Sequence, residues 1–201
     1  DAIVVGAGIT GGWAAKELSE KGLKTLVLER GREVNHISDY ATAEADTWDL
    51  PNRGQITTKE IDRHYFKQIR SGKLTEANKC FFVKDDEHPY QEKARFDWFR
   101  GYHLGGSSLT WDRHAYRFSD LDFEANLKEG VGVDWPIRYK DLEPWYNHVE
   151  RFIGVSGSTL SLNHLPDGNE LMSALAYNCV ERHMKNQIES RWSDRKLMVN
   201  I

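Results

Sequence analysis

The chain has 201 residues, of which 39% are hydrophobic and 29% charged, with a net charge of -4 and a sequence pI near 6.1. That balance belongs to an ordinary soluble globular protein; no run of about eighteen apolar residues could span a bilayer, and no basic field invites nucleic acid. The length accommodates one complete domain plus part of a second.

The chain opens without Met or a basic leader, directly in the β-branched run Ala2-Ile3-Val4-Val5, which predicts a strand. A helical pattern follows through Trp13, Ala14, Lys16, Glu17 and Leu18, stopped by Gly22. Thr25-Leu26-Val27-Leu28 reads as a second, buried-looking strand closed by Glu29-Arg30-Gly31, so one βαβ unit fills residues 2–31. Residues 33–92 lack sustained periodicity and predict a long excursion with short helical pieces, of the kind that serves cofactor, substrate or subunit contacts.

Another strand is expected at Phe96-Asp97-Trp98-Phe99-Arg100, leading into the glycine-containing stretch GYHLGGSSLTW over 101–111. Leu142, Trp145, Tyr146, Val149, Phe152 and Ile153 recur at threes and fours and predict a helix over 139–154, with Pro144 in its first turn and Gly154 as its stop. A last helix is expected from about Ser173 to Trp192. The closing run Leu197-Met198-Val199-Asn200-Ile201 reads like a strand cut before its turn, as in a fragment.

Gly6, Gly8 and Gly11 form G-x-G-x-x-G between a strand and a helix, the context that turns a weak motif into a dinucleotide-binding fingerprint. Gly6 permits the tight turn, Gly8 lets backbone approach a pyrophosphate, and Gly11 lets helix and sheet pack closely, with Gly12 beside it. The helix N-terminus offers free amides and about half a positive charge to the phosphates. Glu29, 18 residues beyond Gly11, stands where a carboxylate accepts ribose hydroxyls and disfavours a 2′-phosphate; Arg30 adjoins it. The fingerprint alone leaves FAD and NAD both open.

At Leu104-Gly105-Gly106-Ser107-Ser108 the sequence resembles the flavin-contacting loop of the glucose-methanol-choline (GMC) oxidoreductases. Arg117-Phe118 and the stretch from Asp134-Trp135-Pro136 through the aromatic helix are similar to the branch of gluconate dehydrogenase flavoprotein subunits and pyranose oxidases, and the resemblance covers essentially the whole chain. It implies an α/β, Rossmann-like FAD-binding domain of the glutathione-reductase type over residues 1–155, then over 156–201 either the beginning of an α+β substrate-binding domain or a return to the FAD domain. The implied cofactor contacts are Gly6, Gly8, Gly11, Gly12, Glu29, Arg30, Leu104, Gly105, Gly106, Ser107, Ser108, Thr110 and Trp111.

Two departures matter: Tyr102 replaces a basic residue common before this loop, and Trp111 replaces a common Asn. Where pyranose oxidases tether flavin through His, this chain has Thr110, so non-covalent FAD is expected, with His103 and His114 as weaker tether candidates. The implied activity is oxidation of the CH-OH group of a sugar, sugar acid or polyol by hydride transfer to flavin. The family's basic His is expected beyond residue 201, and none of the eight His here replaces it. The electron acceptor, whether oxygen, quinone or cytochrome subunit, stays open, as do a hetero-oligomer and a cytoplasmic or periplasmic location. An NAD-dependent dehydrogenase and a catalytically silent FAD-binding or assembly module are the rival readings.

Other features have simpler readings. Asp85-Asp86-Glu87 lacks alternating ligand spacing and reads as a solvated turn, with no metal site expected. Trp98, Phe99, Tyr102 and Trp111 suit a ligand wall and a core equally. Ser107 and Ser108 lack a nucleophile-elbow context. Cys80 and Cys179 form no CxxC pair, and a disulfide between them stays open.

Overall fold

A computed structural model describes residues 1–169 and 171–198. They divide into two compact units, Asp1–Trp111 and Asp112–Ile201. The expected boundary at 155/156 falls within the second unit.

In the first unit, strand β1 (Ala2–Val5) pairs in parallel with β2 (Thr25–Leu28), Ala2 opposite Thr25 and Val5 opposite Leu28. Helix α1 (Ile9–Glu20) connects them, and its chain turns out at Gly22 with φ +84°. These elements match the predicted βαβ unit. Burial differs from the expectation for β2. Val4 is 8% exposed, but Val5 is 82% and Leu26 54% exposed, so only one side of this sheet is well covered among the described residues. Parallel strands are ordinarily hydrophobic because both faces are covered.

The excursion is built from 3-10 turns at Thr47–Asp49, Pro51–Gly54, Gln68–Ser71 and Lys79–Phe81, and from helix α2 (Thr58–His64), which Thr57 caps by accepting from the Glu60 amide. Tyr65, Leu74 and Val83 form its apolar core. The fully buried Gln68 ties it together: its Nε2 donates to Asp85 Oδ1 at 2.8 Å and to the Trp98 carbonyl at 3.0 Å, while its Oε1 accepts from the Arg100 amide. Asp85 also accepts the Lys67 and Gln68 amides. The acidic triplet is therefore not a solvated turn throughout: Asp85 is buried, Asp86 pairs with His64, and Glu87 with Lys84. No metal-holding cluster exists among the described residues.

The strand expected at 96–100 does not form. Its backbone is engaged by side chains instead: Tyr90 Oη donates to the Phe96 carbonyl and accepts from the Trp98 amide, and Gln68 takes the Arg100 amide. Side-chain partners satisfy backbone groups as a neighbouring strand would, without imposing a ladder.

The second unit carries short helices α3 (Asp120–Phe123) and α4 (Ala125–Glu129), then α5 (Tyr139–Ile153). A two-residue parallel pair, β3 (Ser156–Gly157) with β4 (Met172–Ser173), precedes α6 (Cys179–Arg191). Phe123 and Val155 are buried, and Glu150 accepts from Arg117 inside this unit, Nε to Oε1 at 2.7 Å. Gly154 ends α5 at φ +74°, as expected.

Pro144, however, is the sixth residue of α5, past the first turn, because the helix starts at Tyr139. Its missing donor leaves the Lys140 carbonyl without the helical partner, on an exposed stretch where water can serve. Helix α6 starts later than expected, because Asn178 caps it by accepting from the Val180 and Glu181 amides, while Ser173 lies in β4. Leu197 and Met198 are not in a strand, and the remainder of that predicted strand, Val199 to Ile201, lies outside the described residues. Both cysteines are free thiols. Among the described residues no helix is long and apolar enough to cross a membrane.

Candidate functional site

The chain leaves β1 through Gly6, whose φ of +90° favours glycine and whose amide donates to the Leu28 carbonyl at 2.7 Å. Gly8 caps α1 with extended backbone and no side-chain cap, which leaves the first amides of the helix to other partners. A Cβ at Gly11 would collide with the Gly6 carbonyl, so close packing of helix on turn requires glycine there. At Gly12 a Cβ would meet nothing within 4 Å.

Glu29, just past β2, is bolted to this turn. Its Oε2 accepts from the Ala7 amide at 2.7 Å and its Oε1 from the Gly31 amide at 2.8 Å. The Ala7 bond, and then that of Gly31, hold its carboxyl below the usual glutamate range and keep it ionised. Each oxygen retains a lone pair for a further donor such as a ribose hydroxyl. Val5, Gly6, Leu28, Glu29 and Arg30 together line a cleft of about 310 Å³.

The second glycine loop is stitched to this turn. Gly105 donates its amide to the Ala7 carbonyl at 3.1 Å, and a Cβ on Gly106 would stand 3.4 Å from the Gly8 Cα. Arg32 donates to the Tyr102 carbonyl and accepts from the Leu104 amide, forming a parallel bridge with His103. Gly31 has to be glycine because a Cβ there would collide with the His103 backbone. Buried His103 is fixed by its Nε2, 3.0 Å from the Phe81 carbonyl.

Beyond Gly105 (φ +92°) a 3-10 turn, Gly106–Leu109, divides the two serines. Ser108 Oγ donates to the Gly105 carbonyl at 2.7 Å and closes the turn. Ser107, Thr110 and Trp111 instead line a cavity of about 270 Å³, faced by Phe81, Phe82 and Phe99. The aromatic cluster is thus split. Phe99 and Trp111 border the cavity, while Trp98 and Tyr102 pack around the Arg100 guanidinium at 4.5 and 5.4 Å from their ring centroids.

The predicted site residues therefore gather in one unit, in two adjoining places. One is the turn with Gly6, Gly8, Gly11, Gly12, Glu29 and Arg30; the other is the loop from Leu104 to Trp111. Arg32, Phe81 and Phe82 escaped sequence reasoning because they act through long-range contacts. His103, a weaker tether candidate in the sequence, is buried with its Nε2 at the Phe81 carbonyl.

The donor set fits a dinucleotide: a glycine turn that closes only with glycine at Gly11, an uncapped helix start, and an ionised acid at the ribose distance in sequence. Comparison with known proteins agrees. The family described as FAD dependent oxidoreductase matches residues 1–183. The "Gluconate 2-dehydrogenase flavoprotein" of Pantoea cypripedii is 28% identical over 186 residues, covering 85% of this chain and 28% of that protein. The "Fructose dehydrogenase large subunit" of Gluconobacter japonicus is 26% identical over 194 residues, with the same coverages. An "Oxygen-dependent choline dehydrogenase" of Xanthomonas euvesicatoria is 28% identical over 158 residues, covering 78% of this chain and 24% of that protein. The chain thus spans less than a third of the length of these relatives. The resemblance to GMC enzymes holds, the cofactor is FAD, and the chain belongs to the FAD-dependent oxidoreductase family.

Proposed function

We propose that residues 1–155 form the FAD-holding portion of an enzyme that oxidises a CH-OH group of a sugar, sugar acid or polyol, with the flavin bound non-covalently. The observation that carries this reading is the stitching of the Leu104–Trp111 loop onto the Gly6–Gly11 turn through Gly105 and Ala7. A dinucleotide with its ribose on Glu29 and its pyrophosphate at the start of α1 would run onto Gly106 and end at the cavity beyond Ser107. The aromatic lining of that cavity suits a flat flavin ring better than a nicotinamide amide.

When bound, the flavin supplies the two-electron acceptor for the hydride. The chain's own work is positional: Glu29 orients the ribose, the amides at the start of α1 neutralise phosphate charge, and Phe81, Phe82, Phe99 and Trp111 exclude water around the ring. The proton-accepting group belongs, on this reading, to sequence outside these 201 residues. A relative named as a large subunit supports a hetero-oligomer.

An absorbance spectrum of the purified full-length protein, before and after acid precipitation, tests the proposal. Flavin bands passing into the acid supernatant, and bleaching on anaerobic addition of gluconate, fructose or sorbitol, are expected. A colourless protein that no FAD reconstitutes would move the assignment to a nicotinamide enzyme. Flavin bands that no alcohol bleaches would favour a silent FAD-binding module.

A further inference from the structure

The excursion holds a separate cleft, which shares no lining residue with the glycine turn or the aromatic cavity. Thr57, Lys59, Glu60, Arg63, His64 and Lys84 enclose about 260 Å³ there. Most of the charges are matched. Glu60 accepts from Lys79 at 2.8 Å and Lys84 donates to Glu87 at 2.7 Å. His64 Nδ1 lies 2.8 Å from Asp86 Oδ1, and that bond holds the Asp86 carboxyl below the usual range. Lys59 and Arg63 are different: among the described residues neither side chain makes a hydrogen bond or an ion pair, and Asp62 between them neither lines the cleft nor pairs with them. They stand four residues apart on α2, the spacing at which like charges destabilise a helix. Two uncompensated cations thus meet at one cleft in a chain of net charge -4, where the local field runs against that of the chain as a whole.

We propose that this cleft binds a compact oxyanion, a phosphate group, held by Lys59 and Arg63 of α2 together with Lys84. A guanidinium offers paired donors to phosphate oxygens and an ammonium a point charge. Thr57 Oγ1 accepts from the Glu60 amide at 3.3 Å and keeps its own proton to donate. Tyr65 is 3% exposed, and its hydroxyl makes no hydrogen bond among the described residues. Burial raises its pKa, so it stays a neutral donor, and the charges that bear on it most are those of Glu60 and Lys84 in the cleft lining. Glu60 is the one carboxylate of that lining, and its ion pair with Lys79 offsets its repulsion of an anion. The space falls below the roughly 300–1,000 Å³ of clefts that take larger organic ligands, which favours a small anion over an extended acidic peptide. A bound phosphate would tie α2 to the chain around Lys84, where the Asp85 amide already donates to the His64 carbonyl at 2.7 Å. The site is then a ligand-dependent clamp on the excursion, and it stands independently of the flavin reading.

The test is isothermal titration of the full-length protein, in saturating FAD, with inorganic phosphate and with glycerol 3-phosphate, comparing Lys59→Gln, Arg63→Gln and the double variant with the unaltered protein. Each single substitution should weaken phosphate by about tenfold and the double variant should lose it, with flavin content unchanged. Equal affinity for the two probes assigns the site to the free anion, and tighter glycerol 3-phosphate assigns it to a phosphate carried on an organic body. In hydrogen exchange, phosphate should slow the Asp85 amide of the unaltered protein and not that of the double variant. Without phosphate the double variant should melt no lower than the unaltered protein, because a repulsive pair has been removed. Absence of saturable phosphate binding, full affinity in the double variant, or binding of poly-aspartate in place of phosphate would each overturn the proposal.

Discussion

The Ala7 amide donates to the Glu29 carboxylate across the turn at 2.7 Å, so the acid that meets the ribose also braces the backbone that meets the phosphates. Because its folded carboxyl lies below the ordinary value of 4.5, Glu29 contributes stability above that value, and the contribution is lost as pH falls through the folded one. Melting temperatures of Glu29→Gln and the unaltered protein should differ by about a few degrees at neutral pH and converge in acid. A constant difference down to the acid limit would show that the charge is irrelevant.

Two adjacent glycines should behave oppositely. Gly11→Ala forces a Cβ into the Gly6 carbonyl and should abolish flavin content, read as the ratio of absorbance near 450 nm to that at 280 nm, an instrument setting of about the usual kind for flavins. Gly12→Ala meets open space inside α1 and should raise stability by about 0.5–1 kcal/mol with flavin retained. If Gly12→Ala also loses flavin, the cofactor occupies that space.

The Arg117–Glu150 pair tests the second unit. Both side chains are nearly inaccessible, and Tyr139 Oη and Asn147 Oδ1 complete the guanidinium's partners. Glu150→Gln leaves the cation buried without its counter-charge and should cost about 3–5 kcal/mol in urea unfolding. Arg117→Met combined with Glu150→Leu should recover much of that loss, and a double variant no better than the single one would contradict the account.

Gln68 is the hinge of the excursion. Gln68→Leu strands Asp85 Oδ1 and the Arg100 amide, while Arg100 Nη1 still reaches the Trp98 carbonyl, and should destabilise by about 1–3 kcal/mol for each group left buried and unpaired. Hydrogen exchange would register the loss first between Lys67 and Arg100. Uniform protection in the variant would show that the network is dispensable.

What could be read from the sequence was local or periodic. The glycine spacing, the acid after β2 and the three-four pattern of α5 all act within a few residues, and each reappears in the fold. The strand expected at 96–100 did not, because Tyr90 and Gln68 claim its backbone, and a side chain reaching back from 6 to 32 residues away leaves no periodic trace. Asp85 looked solvated for the same reason: its partners lie 17 and 18 residues upstream. The division of labour between Ser107 and Ser108 was equally hidden, since only the turn geometry decides which hydroxyl faces inward.

The bridge between Arg32 and His103 closes the intervening seventy residues into a ring whose two ends are fixed on the nucleotide turn. Closing such a ring costs little more when it grows, about 0.6 kcal/mol for each doubling of length. Descendants of this fold can therefore lengthen, shorten or redecorate that stretch, and with it the Phe81–Phe82 wall, while the cradle for the cofactor stays in register. Substrate preference and cofactor retention are thus free to diverge at separate rates.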